Sequence, residues 1–187
     1  MIVKGGFLII VAGPSGSGKS SITKLLLEYF KNLDFSISCT TRKMRQGEIE
    51  GEHYKFITQD EFNLMIEENK FLEYENVHNE LYGTPIEPIS DSVKFGHSIL
   101  LDIDVKGAYS IMNTNHFDCC SIFIKTPSIE VLHERLVARN DLTDDQIEKR
   151  VAEAKNELKK STYFDHLIIN DDLSEAFNEA KRIISGL

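Results

Sequence analysis

The sequence has no excess of basic residues, no Cys-x-x-Cys pair and no long apolar run, and each absence excludes a class of protein. The formal net charge of −9 argues against a general nucleic-acid or anionic-membrane binder, because such proteins neutralise phosphates with basic surface. The three cysteines form no Cys-x-x-Cys pair and the six histidines are scattered, so a structural zinc site is not expected. No apolar run approaches the roughly 20 residues of a membrane helix.

The first apolar run leads into a glycine-rich loop, so we do not interpret it as a signal peptide. From these absences we expect a cytoplasmic protein that binds neither nucleic acid nor membrane. The sequence leaves the oligomeric state open between a monomer and a homodimer.

The most informative pattern is Gly-Pro-Ser-Gly-Ser-Gly-Lys-Ser at residues 13–20, between the apolar run Phe7–Ala12 and the helix-forming stretch Ser21–Phe30. A phosphate is held by backbone N–H groups that point inward from a tight loop, and glycine lets the chain curl closely. Lys19 can reach the β and γ phosphates, and the hydroxyl of Ser20 can help to hold Mg²⁺. The flanking strand and helix favour this interpretation over an ordinary Gly/Ser loop. The predicted ATP-binding residues here are Gly13, Pro14, Ser15, Gly16, Ser17, Gly18, Lys19, Ser20 and Ser21.

Short apolar runs that alternate with helical patterns predict an α/β fold with a parallel sheet. We expect fully buried strands at Phe7–Ala12, Ile99–Val105, Cys119–Ile124 and Leu167–Ile169, and a shorter, half-polar one at Phe35–Cys39. The predicted helices include Ser21–Phe30, Ser128–Arg139, one that opens with a capping box at Thr143–Gln146, and Ser174–Ile184. The predicted architecture is a three-layer α/β/α P-loop core with an inserted mixed α/β subdomain and a helical lid.

The length of 187 residues favours a single domain, and the pattern changes twice along it. Residues 38–97 form short mixed pieces punctuated by glycine, with one helix-like stretch at Glu61–Asn69, and are predicted to be an insert. Residues 135–156, around the break between two charged helices, are predicted to form the lid. The core is then expected at residues 1–37, 98–134 and 157–187.

The segment Ser38-Cys39-Thr40-Thr41-Arg42-Lys43-Met44-Arg45 concentrates three cations and three hydroxyl groups after a predicted core strand. Such a segment can clamp a second phosphate. On composition alone, a solvated basic loop explains it as well.

Several stretches together resemble the guanylate kinase family over nearly the whole chain. They are residues 13–20 and 38–45 above, Gly-Glu-Ile-Glu-Gly-Glu-His-Tyr, Phe-Leu-Glu-Tyr, Leu-Tyr-Gly-Thr, Leu-Asp-Ile-Asp-Val-Lys-Gly and Ile-Ile-Asn-Asp-Asp. Their order and spacing carry the resemblance. The sequence departs from the family pattern at Cys39, at Val105-Lys106 and at Asn140.

The resemblance implies that the insert binds GMP. By it, the GMP phosphate is bound by Arg42, Arg45, Tyr54 and Tyr82, and the guanine is lined by Ser38, Glu73, Thr84 and Asp104. The physics agrees, since an ionised carboxylate can accept both adjacent donors of the guanine pairing edge but is repelled by N1 of adenine. Taken singly, these residues have plainer explanations: Glu73 as a surface charge, the tyrosines as packing residues and Asp104 as a helix cap.

The resemblance also implies roles for residues on the ATP side. Asp102, at the end of an apolar strand, is placed close to Mg²⁺, directly or through water, together with Ser20. Arg139 and Arg150 are placed on the transferring phosphates, and Asn170 beside the ATP base, although a plain turn explains Asn170 nearly as well. Arg135 and Arg139 are like charges four residues apart, an unfavourable pair unless an anion lies between them. Arg135 could instead face the adenine or pair with Glu134 or Asp141.

The implied reaction transfers the γ-phosphoryl group of ATP to GMP, with Mg²⁺ as cofactor and dGMP as a further acceptor. The residues expected to act in the transfer are Lys19, Arg42, Arg139 and Arg150. Two alternatives stay open: a P-loop kinase for another phosphorylated metabolite such as a sugar phosphate, and a non-catalytic guanylate-kinase-like interaction module.

Overall fold

The computed structural model of the protein describes residues 6–45, 47–77, 79–114, 116–140 and 142–187. These residues contain nine strands and seven α-helices. The strands are β1 (Leu8–Ala12), β2 (Leu33–Phe35), β3 (Cys39–Thr40), β4 (Lys55–Phe56), β5 (Phe71–Val77), β6 (Glu80–Pro85), β7 (Ser98–Asp102), β8 (Cys119–Lys125) and β9 (His166–Ile169). The helices are α1 (Lys19–Tyr29), α2 (Gln59–Glu67), α3 (Ile86–Lys94), α4 (Val105–Met112), α5 (Ile129–Ala138), α6 (Asp144–Leu158) and α7 (Leu173–Ser185).

The core is a five-stranded sheet in the order β2-β7-β1-β8-β9, and each neighbouring pair is parallel. Both faces of its central strand are covered, because successive side chains of a strand point to opposite faces. Ile9 and Val11 pack with apolar residues of α1 and α7 on one face. Leu8 and Ile10 pack with apolar residues of α3 and α4 on the other. The predicted three-layer α/β/α core with a parallel sheet is confirmed.

Parallel pairing brings the carboxyl ends of the strands to one edge of the sheet. Val11 of β1 pairs with Asp102, the last residue of β7. The loop that follows β1 and the residue Asn170, which follows β9, lie at the same edge. Ligands of open α/β sheets bind outside this edge, so the topology fixes where the functional groups collect.

Two predicted strands have different ends in the structure. The strand predicted at Ile99–Val105 ends at Asp102, because Asp104 caps α4 and Val105 is already helical. The strand predicted at Phe35–Cys39 is in fact two strands in different sheets. β2 ends at Phe35 in the parallel sheet, whereas Cys39 begins β3 in the insert.

The prediction that Leu167–Ile169 is fully buried was wrong. Only Ile168 is buried, while Leu167 is 43% and Ile169 51% exposed. The reason is that β9 is an edge strand of the sheet. Ile168 packs with Ala176 and Ala180 of α7, but the opposite side of the strand is accessible to water.

The insert contains a second, mixed sheet in the order β4-β3-β6-β5. Helix α2 packs on it through Phe62, whose ring stacks on Phe71 of β5 with centroids 4.5 Å apart. Helix α3, within the predicted insert, was not predicted from the sequence. Pro85 caps this helix and Pro88 lies in its first turn, where proline is tolerated because the missing N–H has no partner within the helix.

Helices α5 and α6 pack on each other through a small apolar cluster that includes Leu132, Leu136 and Val151. The predicted capping box is confirmed, since Thr143 and Gln146 each accept the backbone N–H of the other at the start of α6. Among the helices described, none has both the length and the apolar character that a membrane span requires.

Candidate active site

The glycine-rich loop joins β1 to α1 and depends on glycine at two close approaches. Gly13 has φ of 145°, and a Cβ atom there would lie 2.0 Å from the backbone oxygen of Ile124 on β8. Gly18 has φ of 91°, and a Cβ there would lie 2.1 Å from Nδ2 of Asn170. Both positions therefore exclude larger residues through conformation and space. The loop opens at the start of α1, where backbone N–H groups favour an anion.

Lys19 and Ser20, the first two residues of α1, turn toward the loop and toward β7. Nζ of Lys19 donates to the carbonyl oxygens of Gly13 at 2.7 Å and Pro14 at 3.2 Å. The hydroxyl of Ser20 donates to Oδ2 of Asp102 at 2.9 Å. Burial raises the pKa of Asp102, and nearby Lys19 and the Ser20 hydrogen bond partly offset that rise. The structure thus joins the two residues predicted to lie near the metal.

Asn170 braces the loop from the far side. Its amide donates to the carbonyl oxygen of Ser17 at 2.7 Å, and the residue is 3% exposed. This long-range hydrogen bond gives Asn170 a more specific role than that of a residue in a plain turn.

A cluster of one arginine and three aromatic rings lies in the insert. The guanidinium carbon of Arg42 lies 4.9 Å from the centre of the Tyr54 ring and 5.4 Å from that of Phe56, and Nε donates to the hydroxyl of Tyr82 at 3.1 Å. Burial raises the pKa of Tyr54 to about 12, and the nearby Asp102 also raises it. At neutral pH Tyr54 therefore keeps its hydroxyl proton and can donate a hydrogen bond beside a cation, a combination that suits a phosphate.

Glu48, for which the sequence predicted no role, holds this cluster in place. Its carboxylate accepts two hydrogen bonds from Arg42, at 2.7 Å to Nη1 and 2.6 Å to Nη2, and one from the backbone N–H of Arg45 at 2.7 Å. The hydrogen bond with Arg42 lowers the pKa of Glu48 to about 2. Arg42 is only 8% exposed, so this ion pair places a counter-charge directly against a buried cation. In the sequence, the only pointer to Glu48 is that it belongs to the stretch Gly-Glu-Ile-Glu-Gly-Glu-His-Tyr, which is one of those that resemble the guanylate kinase family.

A buried pair of polar side chains lies on the neighbouring strands β5 and β6. Glu73 and Thr84 face each other in the register of the sheet, and the Thr84 hydroxyl donates to Oε1 of Glu73. Glu73 is 8% exposed, which excludes its explanation as a surface charge. Burial raises the pKa of Glu73 to about 7; the Thr84 hydrogen bond lowers it, and Asp104 and Glu75 raise it.

Asp104 caps α4, as its plainer explanation predicted. Its Oδ1 accepts the backbone N–H of Lys106 at 2.7 Å and that of Gly107 at 3.1 Å. It also lies close enough to Glu73 to raise the pKa of that carboxyl. The capping role leaves Asp104 beside Glu73, so the two predicted guanine-side carboxylates are brought together.

The remaining predicted site residues of the insert are Ser38 and Arg45. Ser38 is buried, and its carbonyl oxygen accepts the backbone N–H of Lys55. Arg45 is exposed and is tied to Glu48 through its backbone only. Neither side chain contacts the Glu73 pair or the Arg42 cluster in the hydrogen bonds described.

Two of the predicted arginines of α5 and α6 donate hydrogen bonds to different parts of the core. Nη1 of Arg150 donates to the hydroxyl of Ser15 in the glycine-rich loop at 3.0 Å. Arg135 donates to the carbonyl oxygen of Asp171 at 3.2 Å, and Arg139 lies exposed at the end of α5. Of the predicted partners of Arg135, Asp141 lies outside the described residues.

A second acid that sequence reasoning missed lies on α6. Burial raises the pKa of Glu157, nearby Lys19 lowers it and Asp104 raises it. Glu157 therefore faces the same region as the glycine-rich loop and the cap of α4. Nothing in its local sequence distinguishes it from the other acids of a highly charged helix.

The fold and these groups define a P-loop protein with two groups of side chains and backbone donors whose chemistry suits an anion, one in the core and one in the insert. Comparison with known proteins narrows that class. The sequence model of the guanylate kinase family matches residues 6–187. The chain belongs to the guanylate kinase family.

Individual relatives agree with this assignment. The chain is 43% identical over 173 residues to a guanylate kinase of Sulfurimonas denitrificans, covering 92% of this chain and 84% of that one. It is 44% identical over 182 residues to a guanylate kinase of Rickettsia prowazekii, covering 96% and 90%. The crystal structure of guanylate kinase from Anaplasma phagocytophilum superposes with a TM-score of 0.82 at 30% identity, covering 98% of this chain and 86% of that one.

The Glu48–Arg42 contact predicts the effect of Glu48→Gln. The amide keeps the shape but loses the charge and one acceptor oxygen, at a cost of about 1–3 kcal/mol for the buried partner. We expect the KM for an insert-bound phosphorylated substrate to rise about tenfold or more, while the KM for ATP stays unchanged. Steady-state kinetics measures both. Glu52→Gln removes the same charge from an exposed position and should have no effect; equal kinetics for the two variants would contradict the role of Glu48.

The raised pKa of Glu73 predicts a pH dependence. A folded-state pKa of about 7, above the ordinary value of 4.5, means that the folded chain holds this proton more tightly than the unfolded chain. Between pH 4.5 and about 7 the unfolded chain releases this proton while the folded chain keeps it, so the free energy of unfolding falls as the pH rises through this range. Conversely, a ligand that binds the carboxylate should bind more weakly below pH 7, with the dissociation constant rising up to about tenfold per pH unit.

Titration calorimetry with GMP between pH 5.5 and 8.5 measures this dependence. The GMP phosphate itself titrates near ~6, so Glu73→Gln is the matched control that keeps the phosphate's contribution. An inflection near pH 7 in both proteins would assign it to some other group.

Proposed function

We propose that this protein transfers the γ-phosphoryl group of ATP to the phosphate of GMP. The bond between the γ-phosphorus and the oxygen that bridges to the β-phosphate breaks. A new bond forms from an oxygen of the GMP phosphate to the same phosphorus, which gives ADP and GDP. The acceptor oxygen belongs to an ionised monoester, so the transfer needs no general base.

The observation that carries this proposal is the unlike chemistry of the two groups in the insert. The Arg42 cluster with Tyr54 and Tyr82 suits a phosphate, and Arg45 lies beside it. Buried Glu73 and Thr84, with Asp104 of the core beside them, suit the two adjacent donors of a guanine edge, and Ser38 directly precedes β3 of the same sheet. A phosphate site and a guanine site in one subdomain together match GMP. Because the recognition assigned here falls on the phosphate and the base, we propose that dGMP is also accepted.

The donor nucleotide is assigned to the core. Backbone N–H groups of residues 13–20 cradle the phosphates and Lys19 neutralises them, with Ser21 in the next position of α1. Arg135 and Asn170 lie at the neighbouring β9 end of the sheet and are assigned to the adenosine side. Oxygen ligands suit Mg²⁺, and Ser20 and Asp102 present two of them 2.9 Å apart. When bound there, Mg²⁺ would supply charge neutralisation to the phosphates.

The chain's own cations hold the two polyanions in line. We assign this role to Lys19 and Arg42 from the two binding regions and to Arg139 and Arg150 from the lid of residues 135–156. The hydrogen bond from Arg150 to Ser15 supports the lid assignment, because it joins α6 to the phosphate loop. Closure of the insert, residues 38–97, and of the lid over the core would exclude water from the transfer.

A substrate panel tests the proposed reaction. ADP release is measured with ATP, Mg²⁺ and one of GMP, dGMP, AMP, CMP, UMP or a sugar phosphate. We expect turnover with GMP, weaker turnover with dGMP, and a kcat/KM for AMP lower by at least about a hundredfold, because N1 of adenine faces a carboxylate. Preference for a sugar phosphate would identify a different kinase, and ATP binding without turnover on any acceptor would identify a non-catalytic module.

The substitution Glu73→Gln tests the guanine assignment. The amide keeps the size of the side chain but accepts through one oxygen only, so kcat/KM for GMP should fall by roughly 10- to 1000-fold. The KM for ATP should stay unchanged. Glu67→Gln, which alters an exposed acid of α2, serves as the control. Wild-type kinetics in Glu73→Gln would remove Glu73 from the base site.

A further inference from the structure

Gly107 lies in the first part of α4 with no side chain between the helix and Glu73. A Cβ atom built on Gly107 would lie 2.6 Å from Oε2 and 3.0 Å from Cδ of Glu73. The first distance is shorter than a real Cβ atom tolerates and the second is tight, so the carboxyl group occupies the space that any larger residue would need. The backbone of α4 therefore forms one wall of the Glu73 site.

The same residue also contacts the second acid. The backbone N–H of Gly107 donates to Oδ1 of Asp104 at 3.1 Å. Its N–H thus holds one predicted guanine-side carboxylate, and its bare Cα admits the other. Gly107 joins two elements of different origin, since Glu73 belongs to the insert and α4 to the core.

The backbone itself gives no reason for a glycine here. Gly107 is not among the described glycines with positive φ, and it lies inside a helix. Alanine stabilises a helix interior relative to glycine. The missing side chain is therefore explained by the approach of Glu73 rather than by local conformation.

We propose that Gly107 is a positioning residue that sets the place of the Glu73 carboxylate and thereby the selectivity for guanine. This inference rests on the proposed function, which assigns Glu73 to the base. The atoms that a new side chain meets are the end of a flexible chain, unlike those at Gly13, where the obstacle is backbone oxygen. The fold therefore tolerates Gly107→Ala, and the carboxylate moves instead. The Glu73 carboxylate must move by roughly 1 Å to reach an ordinary van der Waals distance from the new methyl group. Misplacing a reactive or binding group on that scale lowers the reaction rate by about a hundredfold.

The test is Gly107→Ala in the full chain, assayed with GMP, AMP and ATP. We expect the KM for GMP to rise roughly 10- to 100-fold and the preference for GMP over AMP to narrow, while the KM for ATP and the melting temperature are not lowered. A residue with a purely structural role would lower the melting temperature and affect both substrates. Ser110→Ala on the exposed side of α4 and Gly186→Ala at the end of α7 are the matched controls.

A double-mutant cycle separates this inference from the proposed function. In a Glu73→Ala background the added methyl group has no carboxylate to displace, so Gly107→Ala should cause no further loss with GMP. An equal loss in both backgrounds would overturn the inference, and so would a crystal structure of Gly107→Ala with the Glu73 carboxylate in its original place. If Glu73→Gln and Glu73→Ala use GMP as the wild type does, the proposed base site itself fails. If only Gly107→Ala behaves as the wild type, the base site stands and the positioning role fails.

Discussion

Parallel hydrogen bonding between β1 and its neighbours β7 and β8 is the interaction on which the rest of the site depends. It sets the ends of the strands side by side, so that the glycine-rich loop, Asp102 and the segment after β9 meet at one edge. The strands bury apolar residues on both faces, and their register places Asp102 at this end. A slip of one residue would exchange the faces of the central strand and move Asp102 away from Ser20.

The proposed function requires an anionic protein to bind anions, and the structure offers a few donors placed very locally. In the core these are backbone N–H groups and Lys19, which donates to two carbonyl oxygens. In the insert the proposed donor is Arg42, which Glu48 fixes and neutralises in part. Acids lie near these sites, and two of them, buried Glu73 and half-buried Asp102, have raised pKa values because loss of solvent contact disfavours their charge. The folded chain is less stable when these acids are charged, and perturbed pKa values of this kind are common at functional sites.

Much of the fold was predictable because local sequence patterns determine it. Apolar runs predicted the parallel strands, and the capping box of Thr143 and Gln146 predicted the start of α6. The glycine pattern located the phosphate loop before any coordinates. Predictions failed where tertiary context decides: the outer side of β9 is exposed because no element covers it, and α3 begins in spite of two prolines because a first turn accepts them.

For the site, residue types and their order were informative, but partnerships were not. Periodicity cannot show that Glu48 pairs with Arg42, since the loop between them has no regular repeat. Nor does the sequence show that Gly107 lies against Glu73, because the contact joins α4 to a strand of the insert. Such contacts depend on the tertiary structure. The resemblance to a family indicated which residues belong to the site, but not which of them contact one another.

The hydrogen bond from Asn170 to Ser17 has a consequence for how the protein is made. It spans 153 positions of the chain, so the phosphate loop emerges from the ribosome long before its brace exists. During synthesis the loop has only its own glycine-rich backbone, which is the most easily disordered kind. Nucleotide affinity is therefore a late property of biogenesis, acquired when the last strand of the sheet docks.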